Sequence, residues 1–157
     1  MFVEMKFTNV ATFIASGNAI FDSPNRDRCK LEDLIERHLQ QALGYDVDTF
    51  IRTRAEVAAV TAFQPFPKIE MEKPGNTIHI GFWKEAPGAT LVRGLLAGRT
   101  DVDEFCVNGR EFYWLCRIKT HESKVWSSPS MRALKLPTST ARNLTALRKL
   151  ISQYAVL

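Results

Sequence analysis

The dipeptide Asn108-Gly109 constrains the fold of this chain more than any other feature of its sequence. It joins two runs of alternating apolar residues, 102–107 and 111–118, and Asn-Gly between such runs is the strongest short-range signal for a two-residue hairpin turn. Pairing the runs across this turn places a set of large side chains on one face: Phe105, Val107, Phe112, Trp114, Cys116 and Ile118. The chain is therefore expected to contain an antiparallel sheet with this face in a hydrophobic core.

The second half of the chain is predicted to build further elements around this hairpin. A strand is predicted over 77–83, and a helix over 89–97 follows Pro87-Gly88. A short helix near 129–134 and a helix at the C-terminus complete this half. Strand, helix, strand, strand, helix is the element order of a split β-α-β unit.

The first half is predicted to contain similar elements, in the order strand, strand, helix, strand, helix: residues 10–14, 19–22, 28–43, 47–52 and 54–62. The first two strands join at Ser16-Gly17-Asn18, where Gly and Asn tolerate the positive φ of a tight turn. Gly44 stands just beyond the first helix, and Thr53 with Glu56 forms a capping box at the start of the second. This half resembles the second half with its opening strand absent.

These patterns predict an α+β fold made of two ferredoxin-like split β-α-β halves in tandem. The first half lacks its opening strand, and a C-terminal helix follows the second. The predicted boundaries are 1–63 for the first half and 77–157 for the second, with 64–76 as a linker. Three prolines and the absence of periodicity indicate the linker.

Composition predicts a cytoplasmic protein without a metal site or cofactor. No apolar run approaches the roughly 18 residues that span a bilayer, and residues 1–6 lack the features of a secretory signal. The three cysteines are widely spread, and the predicted hairpin places Cys106 and Cys116 on the order of 17 Å apart, too far for a disulfide. No Cys-x-x-Cys or His-x-x-x-His spacing indicates a zinc site.

Positive charge is concentrated towards the C-terminus. From Arg110 onward the chain has nine Lys or Arg and two acidic residues, a net charge of +7, whereas residues 1–109 have 12 basic and 15 acidic residues, a net charge of −3. Two interpretations are open: the cations solvate a surface, or they bind an anionic partner.

Residues 138–157 are predicted to form a basic amphipathic helix. An apolar stripe docks it on a core: Leu144, Leu147, Leu150, Ile151 and Tyr154. The opposite face carries polar and basic residues, with Arg148 close by: Arg142, Thr145, Lys149 and Ser152.

Arg142 and Asn143 are predicted to lie in the first turn of this helix. A cation there opposes the helix dipole, and its position makes more sense if a phosphate binds between the guanidinium and the helix amides. The alternative is that a residue of 138–140 caps the helix and Arg142 extends into water.

Four further residues are candidates for ligand contact. Ser16 and Asn18 would offer a hydroxyl and a carboxamide, or would simply suit the turn in which they lie. Arg52 ends a predicted strand and would either contact a ligand or pair with a carboxylate. Lys124, with Arg117 at a strand end, would join an anion site in the loop that follows the hairpin.

Four segments of the sequence resemble a widespread bacterial family known as domain of unknown function 1697. In order along the chain they are Asn9 to Phe21, Gly44 to Thr53, Pro65-Phe66, and Thr140 to Leu150 with its Thr-Ala-Arg-Asn-Leu-Thr motif. Family members usually begin with an apolar strand and an Arg-Gly-Ile-Asn-Val-Gly-Gly loop that leads into a helix, and this chain has neither. The missing opening strand leaves two possibilities, a late start or another element in its position, and the resemblance implies no particular biochemical function.

The sequence favours a non-enzymatic protein that binds a phosphate-bearing ligand, such as nucleic acid, through Lys124, Arg142, Asn143, Arg148 and Lys149. One alternative is an enzyme acting on a small phosphorylated metabolite, with a pocket that unites Ser16, Asn18, Arg52 and Arg142. A second alternative is an inactive, truncated family member. An exposed strand edge would also allow a homodimer.

Overall fold

Each of two units, Met1–Ile51 and Arg52–Leu157, contains one antiparallel sheet and at least one helix. The computed structural model describes residues 4–13 and 17–154. The mixture of helices and antiparallel strands confirms the predicted α+β class. The predicted boundaries at 1–63, 64–76 and 77–157 remain predictions.

The first unit is a hairpin with one helix. Strand β1 (Thr8–Phe13) pairs with β2 (Asn18–Asp22), and helix α1 (Arg28–Leu43) follows. The Asp27 side chain caps the first turn of α1, and Gly44, with φ 81°, ends the helix as predicted. Its small core consists of three buried residues and several partly buried ones: Phe7, Leu31 and Ile35, with Met5, Val10, Phe21, Leu39 and Ile51.

The strand predicted over 47–52 is wrong, because the described chain is irregular there. Two carboxylates of α1, one turn apart, take the place of a neighbouring strand. The Thr49 amide donates to Glu36 Oε1 (2.6 Å) and the Ile51 amide to Glu32 Oε1 (2.9 Å). These bonds satisfy alternate backbone amides of the segment without a sheet. The segment therefore keeps its alternation of apolar side chains although it does not form a strand.

The second unit contains five α-helices, two short 3₁₀ helices (Thr120–Glu122 and Val125–Ser127) and four strands among its described residues. The helices are α2 (Arg54–Ala62), α3 (Lys68–Glu72), α4 (Ala89–Ala97), α5 (Pro129–Ala133) and α6 (Leu144–Gln153). The strands are β3 (Thr77–Phe82), β4 (Asp103–Asn108), β5 (Glu111–Cys116) and β6 (Thr140–Asn143). They form one antiparallel sheet in the order β4-β5-β3-β6, so β5 lies between β3 and β4.

The β4–β5 turn lies one residue later than predicted. Asn108 pairs with Glu111, which leaves Gly109 and Arg110 as the two turn residues, and Gly109 has φ 61°. A glycine at the first central position suits a type II′ turn, which competes with the Asn-Gly turn of type I′. The register therefore shifts by two residues: Cys106 faces Tyr113 and Cys116 faces Asp103. A shift of two keeps every side chain on its face, so the predicted core face is confirmed.

A separate cluster covers each face of this sheet. The tryptophan face, formed by Phe105, Phe112, Trp114 and Cys116, packs against Leu95 of α4 and against Val125 and Met131. The opposite tyrosine face, which includes Ile80, Tyr113 and Leu115, is covered by α2 and α6. The Tyr113 hydroxyl donates to the Val60 carbonyl of α2 (3.2 Å). The second unit therefore has three layers, with one sheet between two layers of helices.

The predicted helix over 138–157 is wrong in its first residues. Thr140–Asn143 forms β6, which pairs with β3, and α6 begins only at Leu144. Thr and Ser are poor helix formers, and the outer edge of β3 offers backbone partners to an extended segment. Leu144 and Leu147 are buried, as the apolar stripe predicts.

Gly81 provides a test of this packing. The Phe112 ring occupies the position where a Cβ at Gly81 would lie, and this ring is itself held against Trp83 and Trp126. We expect Gly81→Ala to lower the free energy of unfolding by about 1–3 kcal/mol through overpacking, measured by urea denaturation. In a Phe112→Leu background the same substitution should cost less. If Gly81→Ala cost the same stability in both backgrounds, the result would contradict the contact between Gly81 and the Phe112 ring.

Candidate functional site

Arg52 is a buried structural cation. Its side chain is 4% exposed, Nε donates to Glu111 Oε1 (2.6 Å), and Nη2 donates to the Trp83 carbonyl (2.7 Å). The guanidinium also lies 5.3 Å from the ring centroid of Phe82. Of the two roles that the sequence leaves open, the structure shows the pairing with a carboxylate.

The Arg52–Glu111 pair is one half of a larger ionic network. Arg110 donates to Glu56 Oε1 (2.6 Å), and the second carboxylate oxygen of Glu56 accepts from the Thr53 amide (2.7 Å) as part of the predicted capping box. The network joins the start of α2 to the β4–β5 turn. Burial tends to raise the pKa of Glu56, but its hydrogen bonds with Thr53 and the charge of Arg110 lower it overall.

Arg142 lies in a strand, where the helix dipole is not the governing influence. It faces Ile80 of β3, and its Nη1 donates to Thr140 Oγ1 (2.6 Å) and to the Ala141 carbonyl (2.8 Å). Burial lowers the pKa of Arg142. The predicted position of Arg142 in the first turn of the helix is therefore wrong, although Arg142 still lies close to the start of α6.

Asn143 is the N-cap of α6. Its side-chain oxygen accepts from the Thr145 amide (2.8 Å), so the carboxamide of Asn143 satisfies one backbone donor at the helix start. The alternative in which a residue of 138–140 caps the helix is not what the structure shows, because those residues lie before and within β6. Asn143 remains a candidate ligand contact, with its amide nitrogen as the donor.

Arg148 and Lys149 are adjacent exposed cations on α6. Arg148 Nε lies 3.4 Å from the Thr61 carbonyl at the end of α2, which is a long hydrogen bond. Within residues 4–13 and 17–154, neither side chain has a carboxylate partner. The buried Leu144 and Leu147 hold the helix to the sheet and fix these cations at the surface.

Lys124 lies over the other face of the sheet. Its neighbour Val125 is buried against the tryptophan face, whereas α6 covers the tyrosine face. Arg117, which the sequence places beside Lys124 in an anion site, instead pairs with Glu70 (2.8 Å) and Glu104 (2.5 Å). Lys124 itself is exposed.

The remaining candidates belong to the first unit. Asn18 begins β2, and its Nδ2 donates to the Phe13 carbonyl (3.0 Å), closing the hairpin. Gly17 has φ 75°, in agreement with a tight turn. Ser16 lies outside the described residues.

Asp103 is a buried polar residue whose role sequence reasoning missed. It is 1% exposed and accepts from Trp114 Nε1, Thr100 Oγ1 and Ser123 Oγ, each at 2.8 Å. These bonds tie the start of β4 to β5 and to the loop after it, which is a structural role. No group of three His, Cys, Asp or Glu suited to a metal was found among the described residues, and none of their helices is long and apolar enough to cross a membrane.

The geometry defines an α+β protein with a three-layer second unit, a buried ionic network and exposed cations on both helical layers. The chain belongs to the family described as Protein of unknown function (DUF1697), which matches residues 1–113, as the resemblance implies. The Thr140–Leu150 segment lies beyond the matched residues. Comparisons with the curated proteins and with the solved structures found no match.

A structural role for Arg52 has a direct test. We expect Arg52→Met to lower the free energy of unfolding by about 3–5 kcal/mol, because Glu111 would be left buried without its cation. Arg52→Lys keeps the charge but loses the planar fork, so it should cost less, about 1.5–3 kcal/mol. Urea denaturation measures both. If Arg52→Met left the stability unchanged but abolished phosphate binding, the result would instead support a ligand-binding role for Arg52.

Proposed function

We propose that the protein binds a phosphate-bearing ligand without catalysing a reaction, and that α6 supplies the main contacts. The observation that carries the proposal is the pair Arg148 and Lys149, adjacent cations on a helix whose buried leucines fix it to the sheet. Because α6 is held in place, the entropy lost on binding is mainly that of the Arg148 and Lys149 side chains.

The start of α6 would provide a second group of contacts. Arg142 directly precedes the N-cap Asn143, so a guanidinium, a carboxamide and the positive end of a helix dipole lie within a few residues. Each of these favours an anion. A phosphate at this end and another against Arg148 and Lys149 would suit a ligand with several phosphates, such as a polyphosphate or a nucleic acid.

The pattern of ion pairs supports this choice of residues. Arg52, Arg110 and Arg117 have carboxylate partners, so their charge is neutralised inside the second unit. Arg148 and Lys149 have none among the described residues and remain available at the surface.

The fold proposed with this function is a ferredoxin-like second half. In the second unit α4 connects β3 to β4, β5 lies between them, and β6 pairs with the other edge of β3. This order supports a split β-α-β unit extended by one strand. We propose that the first unit is a reduced copy of the same plan, with one hairpin and one helix.

The α6 proposal is tested by titrating inorganic tripolyphosphate into the full chain, followed by calorimetry. We expect the affinity to fall steeply between about 50 mM and about 200 mM salt. The double variant Arg148→Gln with Lys149→Gln should bind about tenfold more weakly, a difference of about 1.4 kcal/mol.

The matched control is Lys30→Gln with Lys68→Gln, which removes the same charge from side chains that are 76% and 73% exposed. This control should bind like the unmodified chain. Equal losses in the two double variants, or an affinity that does not change with salt, would contradict the assignment to α6.

A further inference from the structure

A second cationic surface covers the tryptophan face, on the layer opposite α6. Its five members are exposed and belong to α4, to α5 and to the segments that flank them: Arg93, Arg99, Lys124, Arg132 and Lys135. Residues 89–99 contain no acid, and residues 119–137 contain only Glu122. We call this set the α4–α5 surface.

Two glycines allow the α5 segment to lie close to α4. Gly94 lies within α4, and Gly98, four residues later, is the C-cap of the helix. The Leu134 side chain occupies the space of a Cβ at Gly94, and a Cβ at Gly98 would lie 2.5 Å from Met131 Cε. The absence of these two side chains lets the α5 segment pack directly against the α4 backbone.

Each of the four residues in these two contacts has a cation as its neighbour in the sequence. Arg93 precedes Gly94, and Lys135 follows Leu134. Arg99 follows Gly98, and Arg132 follows Met131. Four of the five cations are therefore next in sequence to residues that form the contact between α4 and the α5 segment, and Lys124 lies earlier in the same segment.

The charge of this surface is not neutralised within the described chain. None of its five members has an ion pair with a carboxylate there, and the hydrogen bond described for Arg93 runs to the Thr90 hydroxyl (3.2 Å). Five exposed cations on two contacting segments give this layer a positive potential, which favours a partner that carries several negative charges.

We propose that the α4–α5 surface binds double-stranded nucleic acid through its phosphates, as a site distinct from α6. Cations on a rigid two-helix layer suit regularly spaced phosphates, which are contacted independently of sequence. A single strand would need aromatic rings for stacking, but Trp126 of this layer packs inward on Phe105, Phe112 and Trp114. Among the described residues the exposed large aromatic is Tyr45, in the first unit.

The same surface is poorly suited to a lipid bilayer. Interfacial helices insert a broad apolar face beside their cations. In this layer Leu96, 39% exposed, is the one large apolar side chain described as exposed. Binding to anionic vesicles is therefore a competing outcome of the test.

The test measures binding of a short, labelled DNA duplex of random sequence to the full chain by fluorescence anisotropy at several salt concentrations. Log affinity should fall with log salt with a slope of about −4, as expected for four to five phosphates. The quadruple variant Arg93→Gln, Arg99→Gln, Arg132→Gln and Lys135→Gln should bind more than tenfold more weakly, with a slope smaller by about 3–4.

A second quadruple variant removes the same charge from exposed side chains that belong to neither proposed site: Arg26→Gln, Lys30→Gln, Lys68→Gln and Lys73→Gln. It should keep the duplex affinity, whereas the first variant should keep tripolyphosphate binding at α6, so the two sites fail independently. If the first variant does not fold, its α4 pair and its α5 pair are tested separately, each with an expected slope change of about 2.

Three results would overturn the proposal. One is an equal loss of duplex affinity in both quadruple variants. Another is tighter binding to a single strand than to the duplex of the same sequence. The third is binding to vesicles with anionic headgroups but not to duplex.

Discussion

Burial of β5 on both faces is the constraint on which the second unit depends. Phe112, Trp114 and Cys116 face one side, Tyr113 and Leu115 face the other, and all five are almost fully buried. Each such side chain contributes about 1.5–3 kcal/mol only when it is removed from water, so neither face of the sheet can be left open. Burial also raises the pKa of the Tyr113 hydroxyl, whose bond to the Val60 carbonyl links the strand to α2. The two helical layers are therefore required by the sequence of one six-residue strand.

Much of this arrangement is predictable from the sequence, because the signals are local. The helices at 28–43, 54–62 and 89–97 follow from their caps and apolar spacing, and the structure confirms all three. The core face of the hairpin also follows from alternation alone. Its register does not, since Asn108-Gly109 and Gly109-Arg110 are both acceptable turns and only the pairing of the whole strands decides between them.

The segments that were predicted wrongly are those whose partners are distant in sequence. Residues 47–52 alternate like a strand, but the segment is irregular, with Glu32 and Glu36 accepting from its backbone amides. Residues 140–143 continue the spacing of a helix, yet the open edge of β3 draws them into the sheet. The role of Arg52 depends on Glu111, 59 residues away, and that of Asp103 on Trp114 and Ser123. Charge and spacing identify such residues as notable but do not identify their partners.

The position of the cations relative to the sheet bears most directly on function. Arg52, Arg110 and Arg117 are paired because they lie where elements meet and a cation without a partner would be costly. Arg148 and Lys149 extend from one layer, and the α4–α5 surface extends from the other. Since the sheet and both helical layers lie between the two outer surfaces of this unit, a small phosphate ligand cannot span both. The positive charge of the C-terminal part of the chain is therefore divided between two surfaces, and a partner that used both would have to be a polymer long enough to wrap around the unit.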